Sequence, residues 1–194
     1  MKTTFSISEA VIFGWRKMKE HLWFLVGLLL FTSILTMGTG VIPGLSFLIS
    51  IFASISMLTV LLMIHAGKKP DVKNLFDKYN IVLQYLVASV LYCLIVVIGL
   101  ILFIIPGVYF ALKYQFYRFL VVEKGLGPVE ALKESGRITK GNIWKLLWFF
   151  WAMVGLNILG AIALLIGLFV TIPITLFAYV FVYHKLLAGA HHSA

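Results

Sequence analysis

The chain alternates between long apolar runs and short polar segments, and the apolar runs have lengths that suit membrane-spanning helices. About twenty apolar residues are needed to cross the hydrocarbon core of a bilayer. The predicted spans lie at 22–37, from the turn at 42–44 to about 65, and at 81–104 and 108–122, with two more between 146 and 183. The turn between those last two is expected somewhere from Gly160 to Pro173. The pattern therefore predicts an all-α fold, a polytopic transmembrane helical bundle of about six spans.

The polar segments between the spans carry helix signals of their own. Ser6 and Glu9 form a capping box, which starts an amphipathic helix. That helix ends near His21 and is expected to lie in the membrane interface rather than cross it. A second polar helix is predicted after Pro128, because proline is favoured in a first helical turn, and a short interfacial piece is predicted at 72–79. The architecture is thus three helical hairpins with amphipathic interfacial helices on one side.

A weak internal repeat supports this arrangement. An isoleucine–proline pair stands near the start of each returning span, at Ile42-Pro43, Ile105-Pro106 and Ile172-Pro173. The chain is interpreted as a single integral membrane domain, 1–194, with repeat-like units at about 5–66, 70–122 and 128–187. Internal repeats also occur in transporters, but duplication of one packing unit is the simpler explanation.

Composition and charge extend the prediction from a helical protein to an oriented membrane protein. Of all residues, 62% are hydrophobic and 12% are charged, whereas a soluble domain carries about 25% charged residues. The 16 Lys and Arg against 7 Asp and Glu give a net charge of +9, and the basic residues gather in segments predicted to share one side. Basic residues favour the cytoplasmic side, so we predict a multi-pass protein of the cell (inner) membrane with both termini cytoplasmic. This placement explains the charge without nucleic acid as a partner.

The predicted cytoplasmic ends of the spans carry further membrane signals. Five tryptophans in or near this interface form an expected aromatic belt: Trp15, Trp23, Trp144, Trp148 and Trp151. The N-terminal segment lacks a small-residue cleavage site, so the first span is expected to remain as an anchor. The basic loops are expected to attract anionic lipid, at about 1 kcal/mol per basic residue.

One stretch resembles a known family. It begins with Pro106 and Gly107, has a basic residue seven positions after the proline, and continues through a polar helix with Ala131, Leu132, Ser135, Thr139, Lys140 and Gly141. These residues resemble the membrane-domain family related to the glycerophosphoryl diester phosphodiesterase membrane domain, which includes uncharacterised bacterial and archaeal integral membrane proteins. Gly136 and Ile138 depart from that pattern, which has an aromatic residue and a leucine there. The resemblance implies a polytopic helical domain and no chemistry of its own.

The most unusual residue is Lys113, a basic side chain within the fourth predicted span. Such a lysine costs a few kcal/mol in a bilayer unless it is paired, hydrated or snorkelling. Arg118 follows it five residues later, closer to the inner surface. The polar residues predicted to contribute to this intramembrane site are Tyr109, Tyr114, Tyr117 and Asn157. The group is interpreted either as a structural polar tie between spans or as a cationic cavity for an anionic headgroup or substrate.

The sequence does not predict catalysis, a cofactor or a metal site. Cys93 is the single cysteine, which rules out a disulfide framework. No nucleophile–base or carboxylate pair is expected at membrane depth, so an intramembrane enzyme is the least favoured class. The preferred hypothesis is a non-catalytic membrane protein that binds anionic lipid, or docks a protein partner or a second copy, at the cytoplasmic face. The alternative is a small transporter or channel subunit with a cationic site at Lys113.

Overall fold

A computed structural model describes residues 5–38, 43–68, 79–162 and 167–191, and these residues form helices joined by short turns. The all-α class predicted from the sequence is confirmed for the described residues. The helices are α1 (Ile7–Gly38), α2 (Pro43–His65), α3 (Tyr79–Leu102), α4 (Ile104–Tyr114), α5 (Tyr117–Lys124), α6 (Pro128–Ile138), α7 (Ile143–Ile162) and α8 (Leu168–His191).

Three of these helices are long and apolar enough to cross a membrane. The apolar stretches are Ile81–Leu102 in α3, Ile143–Ile162 in α7 and Leu168–Ala190 in α8. Helix α3 leaves a stripe of large apolar side chains uncovered along its length: Leu83, Val87, Val90, Leu94, Val97, Ile98 and Ile101. A continuous apolar stripe of this kind suits contact with lipid and is rare on a soluble monomer.

The fourth predicted span is not one continuous helix. Residues 108–122 are divided between α4 and α5, which are 11 and 8 residues long. Each is shorter than the length of about twenty residues that a single span needs. The division falls at Gln115 and Phe116, where the helix has no proline to break it. The cause lies in contacts with α6, described below.

The first and second predicted spans fall in α1 and α2. Helix α1 has non-helical backbone angles at His21 (φ −127°, ψ 21°), where the sequence separates the interfacial segment from the first span. Within α2, Ile49–His65 is a shorter apolar stretch. The interfacial piece predicted at 72–79 lies largely outside the described residues, as do residues 163–166 in the predicted turn between the last two spans. The count of six spans stays a prediction.

The described residues form two compact units. The first unit contains residues 79–150 and 183–191, and the second contains 5–38, 43–68, 151–162 and 167–182. In the first unit, aromatic rings make much of the core, with Phe119 stacked on Tyr183 at 5.0 Å between ring centroids. In the second unit, Phe13 contacts the rings of His65 and Phe181 at 5.3 and 5.1 Å.

Small residues allow close helix approach within the second unit. A Cβ on Gly14 would collide with the backbone carbonyl of Ile174, and one on Gly160 would collide with the hydroxyl of Thr171. Helices in lipid commonly approach through small residues, because packing rather than the hydrophobic effect drives their association. These two glycines therefore define how closely the helices of this unit pack.

The second unit also contains a polar tie between α7 and α8. The side-chain amide of Asn157 donates to the hydroxyl of Thr175 at 3.0 Å and to the backbone carbonyl of Met153 at 2.9 Å. We expect Thr175→Val to lower the free energy of unfolding by about 0.6 kcal/mol, and by no more than about 1.7, as is typical of side-chain bonds between membrane helices. Denaturant titration in detergent would measure this. Thr175→Ser keeps the hydroxyl and should match the wild type; an equal loss in both variants would assign the effect to packing instead.

Candidate functional site

A serine of α6 forms hydrogen bonds with the backbone at the break between α4 and α5. The hydroxyl of Ser135 donates to the backbone carbonyl of Lys113 at 3.1 Å and accepts from the backbone N–H of Phe116 at 3.2 Å. Ser135 is fully buried. Backbone groups left unpaired in a buried position are costly, so this one hydroxyl satisfies two groups that an uninterrupted helix would have used itself.

Thr139 acts on the same carbonyl. Its hydroxyl lies 2.9 Å from the carbonyl oxygen of Lys113 and 2.8 Å from that of Ser135, one turn earlier in its own helix. Between them, Gly136 has no side chain: a Cβ there would lie 3.2 Å from both Lys113 Cε and Tyr114 Cε1. Ser135 and Gly136 of α6, with Thr139 just after its end, thus form the surface against which the broken helix packs.

The other residues that carry the family resemblance lie on α4, on α6 or just after the end of α6. Ala131 and Leu132 are buried on the same side of α6. Lys140 is exposed after the helix ends. Gly141 has a φ of 82°, a left-handed conformation that favours glycine. Pro106 and Gly107 lie in the first turns of α4, where Gly107 is buried against α3.

The Lys113 ammonium lies close to two tyrosine rings. Its nitrogen is 5.2 Å from the ring centroid of Tyr114 and 5.7 Å from that of Tyr109. A cation over an aromatic face is stabilised by about 0.5–2 kcal/mol, depending on solvent exposure. Among the described residues, no Asp or Glu forms an ion pair with it. Two of the tyrosines predicted near Lys113 therefore contact it.

Tyr117 belongs instead to a hydrogen-bond chain with Arg118. The Nε–H of Arg118 donates to the Tyr117 hydroxyl at 3.0 Å, which donates to Ser89 at 2.9 Å, and Ser89 donates to the carbonyl of Tyr85 at 2.8 Å. Tyr117 is only 1% exposed and is stacked on Tyr92 at 5.0 Å between ring centroids. The chain fixes an exposed arginine to α3 through a buried tyrosine.

Asn157, which the sequence grouped with Lys113, is described in the second unit. Its amide nitrogen bonds to Met153 and Thr175, as given above. These bonds are typical of a polar tie between helices. The six predicted site residues thus divide into the Lys113–tyrosine group, the Arg118 chain and the Asn157 tie.

A charged cleft of about 400 Å³ lies along α6 and the end of α5. The residues that line it are Lys124, Leu126, Glu130, Lys133, Glu134 and Arg137. Arg137 makes two parallel bonds of 2.7 Å with the carboxylate of Glu134. The hydrogen bond to Glu134 raises the pKa of Arg137 above its usual value. Because Arg137 and Glu134 neutralise each other, the remaining charges of the cleft are those of Lys124, Lys133 and Glu130.

The surface that follows α6 combines basic and aromatic residues. Lys140 and Lys145 are exposed. Trp144 and Trp148, four residues apart on α7, are 77% and 67% exposed. Tryptophan and lysine together are typical of the level of lipid headgroups, where the ring meets the apolar layer and the ammonium meets phosphate.

Sequence reasoning missed one cluster of titratable residues. The hydroxyl of Tyr183 donates to the carboxylate of Glu123 at 2.5 Å, and Nε2 of His184 lies 3.7 Å from the same carboxylate. Within the described ranges, no group of three or more His, Cys, Asp or Glu residues converges as a metal site would require. The glutamate lies about sixty positions from its partners, so no local spacing signals the contact.

Comparison with known proteins finds similar chains in mycobacteria. About 80% of this chain aligns at 27% identity, over 160 residues, with uncharacterised proteins of two Mycobacterium tuberculosis strains and of Mycobacterium bovis. The alignment covers 49% of each of those proteins, so the chain spans about half the length of the curated relatives it matches. No family model matches the chain, and no solved structure matches it.

Proposed function

We propose that the protein is a non-catalytic, multi-pass protein of the cell (inner) membrane that binds anionic lipid headgroups at its cytoplasmic face. Three helices with the length and hydropathy of membrane spans support the membrane placement. In this proposal the chain crosses the membrane six times as three hairpins and has both termini in the cytoplasm. It would belong to the family related to the glycerophosphoryl diester phosphodiesterase membrane domain. The basic residues concentrated in the predicted cytoplasmic segments support that orientation.

The observation that carries the lipid-binding proposal is the two-sided character of α6. Ala131, Ser135 and Ile138 are buried against the rest of the first unit, while Lys133 is exposed on the opposite side. Lys124, Lys140 and Lys145 are exposed around it, and among the described residues none of these four lysines forms an ion pair. We call these four lysines the basic surface. Basic residues near an anionic leaflet each contribute about 1 kcal/mol of binding.

The test is to remove the charge and keep the shape. The combined variant Lys124→Gln, Lys133→Gln and Lys140→Gln should weaken binding of phosphatidylglycerol to the detergent-solubilised protein by about 3 kcal/mol at low salt, roughly a hundredfold. Raising the salt concentration should reduce the difference, because exposed charges are screened. Binding of each variant to fluorescent lipid at several salt concentrations measures both effects.

A matched control separates charge from other changes at the same positions. The variant Lys124→Arg, Lys133→Arg and Lys140→Arg preserves charge and should retain the preference for phosphatidylglycerol over phosphatidylcholine. If the glutamine variant kept the wild-type preference, the basic surface would not be a lipid site. Loss of self-association in the glutamine variant, with lipid binding intact, would assign the surface to a second copy of the chain instead.

A small transporter or channel subunit is the second candidate. It is favoured by Lys113, a cation on a predicted membrane segment with aromatic neighbours and no ion pair to a described carboxylate. In that case Lys113→Met should abolish anion flux into sealed proteoliposomes without changing the thermal unfolding midpoint. A lower unfolding midpoint with no wild-type flux would leave Lys113 as a structural tie between α4 and α6.

A further inference from the structure

Arg118 is an exposed cation whose orientation is set by the hydrogen-bond chain to α3. Nε–H is engaged by the hydroxyl of Tyr117 at 3.0 Å, and the guanidinium carbon lies 5.6 Å from the centroid of the same ring. Every hydroxyl in the chain passes its single proton onward, from Tyr117 to Ser89 and from Ser89 to the carbonyl of Tyr85. The guanidinium is therefore held through Nε, and its two terminal nitrogens remain available to a ligand.

Those terminal nitrogens have no acidic partner within the described part of the chain. No Asp or Glu there lies within ion-pair distance of Arg118. A guanidinium presents five N–H donors in a rigid plane, and the chain to Tyr117 uses one. The other four donors are on the two terminal nitrogens, and one from each can bond a ligand that has two acceptor oxygens on one atom. Phosphate groups have this geometry and bind arginine through two charge-assisted bonds.

The position of the hydrogen-bonded residues along α3 indicates where such a phosphate would come from. Tyr85 and Ser89 stand four and eight residues after Ile81, the first residue of the apolar stretch of α3. At 1.5 Å per residue they lie about 6 and 12 Å inside that end. An arginine at this depth extends its charged end towards the headgroup layer while its stem stays among apolar groups.

We propose that Arg118 binds the phosphodiester of a membrane phospholipid through its two terminal nitrogens, at the end of α3 where Ile81 lies. This site rests on the proposed function only in requiring that α3 crosses the membrane. It differs from the basic surface in what it recognises. The basic surface responds to net negative charge, whereas a bidentate arginine recognises the phosphate itself and so also binds zwitterionic lipids.

Native mass spectrometry of the full chain in mild detergent, titrated with phosphatidylcholine, tests the site directly. The wild type should retain one tightly bound phosphatidylcholine. Arg118→Lys keeps the charge but loses the paired donors, and should bind about tenfold more weakly or worse, since one charge-assisted bond is worth about 1.5–3 kcal/mol. Tyr117→Phe frees Nε and should weaken binding several-fold, although the arginine is unchanged.

Arg16 provides a matched control. It is likewise an exposed arginine near an aromatic ring, 5.9 Å from the centroid of Phe13. Unlike Arg118, its side chain is not held by a hydrogen bond to a tyrosine hydroxyl within the described residues. Arg16→Lys should leave phosphatidylcholine binding unchanged. Circular dichroism of each variant checks folding, and if Tyr117→Phe fails to fold, Arg118→Lys still decides the question.

The outcomes distinguish a lipid from free phosphate as the ligand. They also distinguish failure of the Arg118 site from failure of the basic surface. If inorganic phosphate at millimolar concentration displaced the lipid, the ligand would be free phosphate, and the lipid assignment would be overturned. If Arg118→Lys and the wild type bound phosphatidylcholine equally, Arg118 would not be the anchor. Failure of the basic surface appears instead as an unchanged phosphatidylglycerol preference in its glutamine variant, so either proposal can fail without the other.

Discussion

Replacing Gly107 with alanine is expected to force α4 away from α3 and to lower the free energy of unfolding by about 1–3 kcal/mol, as overpacking of a tight contact typically does. A Cβ at this position would lie 2.7 Å from the backbone nitrogen of Leu100 and closer still to its side chain. Leucine could change rotamer, but its backbone cannot move without shifting α3. From the other side, a Cβ on Gly99 would lie 3.0 Å from the Cα of Gly107.

Gly155→Ala is the matched control for this prediction. Gly155 lies within α7 and has no atom within 4 Å of where its Cβ would stand. Alanine there should gain up to about 1 kcal/mol from helix propensity alone, and the same gain is available at Gly107. The difference between the two variants, from denaturant titrations in detergent, therefore isolates the collision. Equal stability changes would mean that α3 and α4 are not in close contact at Gly107.

The helices that could be predicted from the sequence are those whose signal is local. The apolar stretches of α3, α7 and α8 reach the length of a span, so a running average of hydropathy finds them without tertiary information. The kink at His21 was predictable for the same reason, because a charged amphipathic segment changes there to an apolar one. Such features depend on composition within a few turns of helix.

The break between α4 and α5 could not be predicted in this way. Residues 108–122 are apolar enough to read as one span, and neither Gln115 nor Phe116 is a helix breaker. The helix ends because Ser135 and Thr139, about twenty residues later, bond its backbone. The resemblance identified these two residues as part of a motif, but their role became apparent only from the contacts.

The candidate site was predictable to the same limited extent. Tyr109 and Tyr114 are near Lys113 in the sequence, at helical spacing or adjacent, and both rings contact its ammonium. The bond between Glu123 and Tyr183 joins positions sixty residues apart. No spacing rule reaches that far, and a carboxylate at the end of a short helix is ordinarily interpreted as solvated. Contacts between helices distant in sequence determine which polar residues meet.

Removing the hydroxyls of both Ser135 and Thr139 is expected to destabilise the protein more than the two single changes together. In Ser135→Ala, the N–H of Phe116 loses its acceptor, while the carbonyl of Lys113 still has Thr139 at 2.9 Å. In Thr139→Val, that carbonyl still has Ser135 at 3.1 Å. We expect Ser135→Ala to cost about 1–3 kcal/mol, the cost of leaving one buried polar group unpaired, and Thr139→Val to cost less.

The double variant is the decisive member of this cycle, since only in it does the Lys113 carbonyl lose both donors. The two hydroxyls should therefore show a coupling of at least about 0.5 kcal/mol, with the double variant less stable than the sum of the single changes. Hydrogen exchange at the Phe116 amide gives an independent reading, because Ser135→Ala should remove its protection and Thr139→Val should not. Strict additivity together with unchanged exchange at Phe116 would show that the break is maintained by packing. Ser135 and Thr139 would then act through their small size rather than through their hydroxyls.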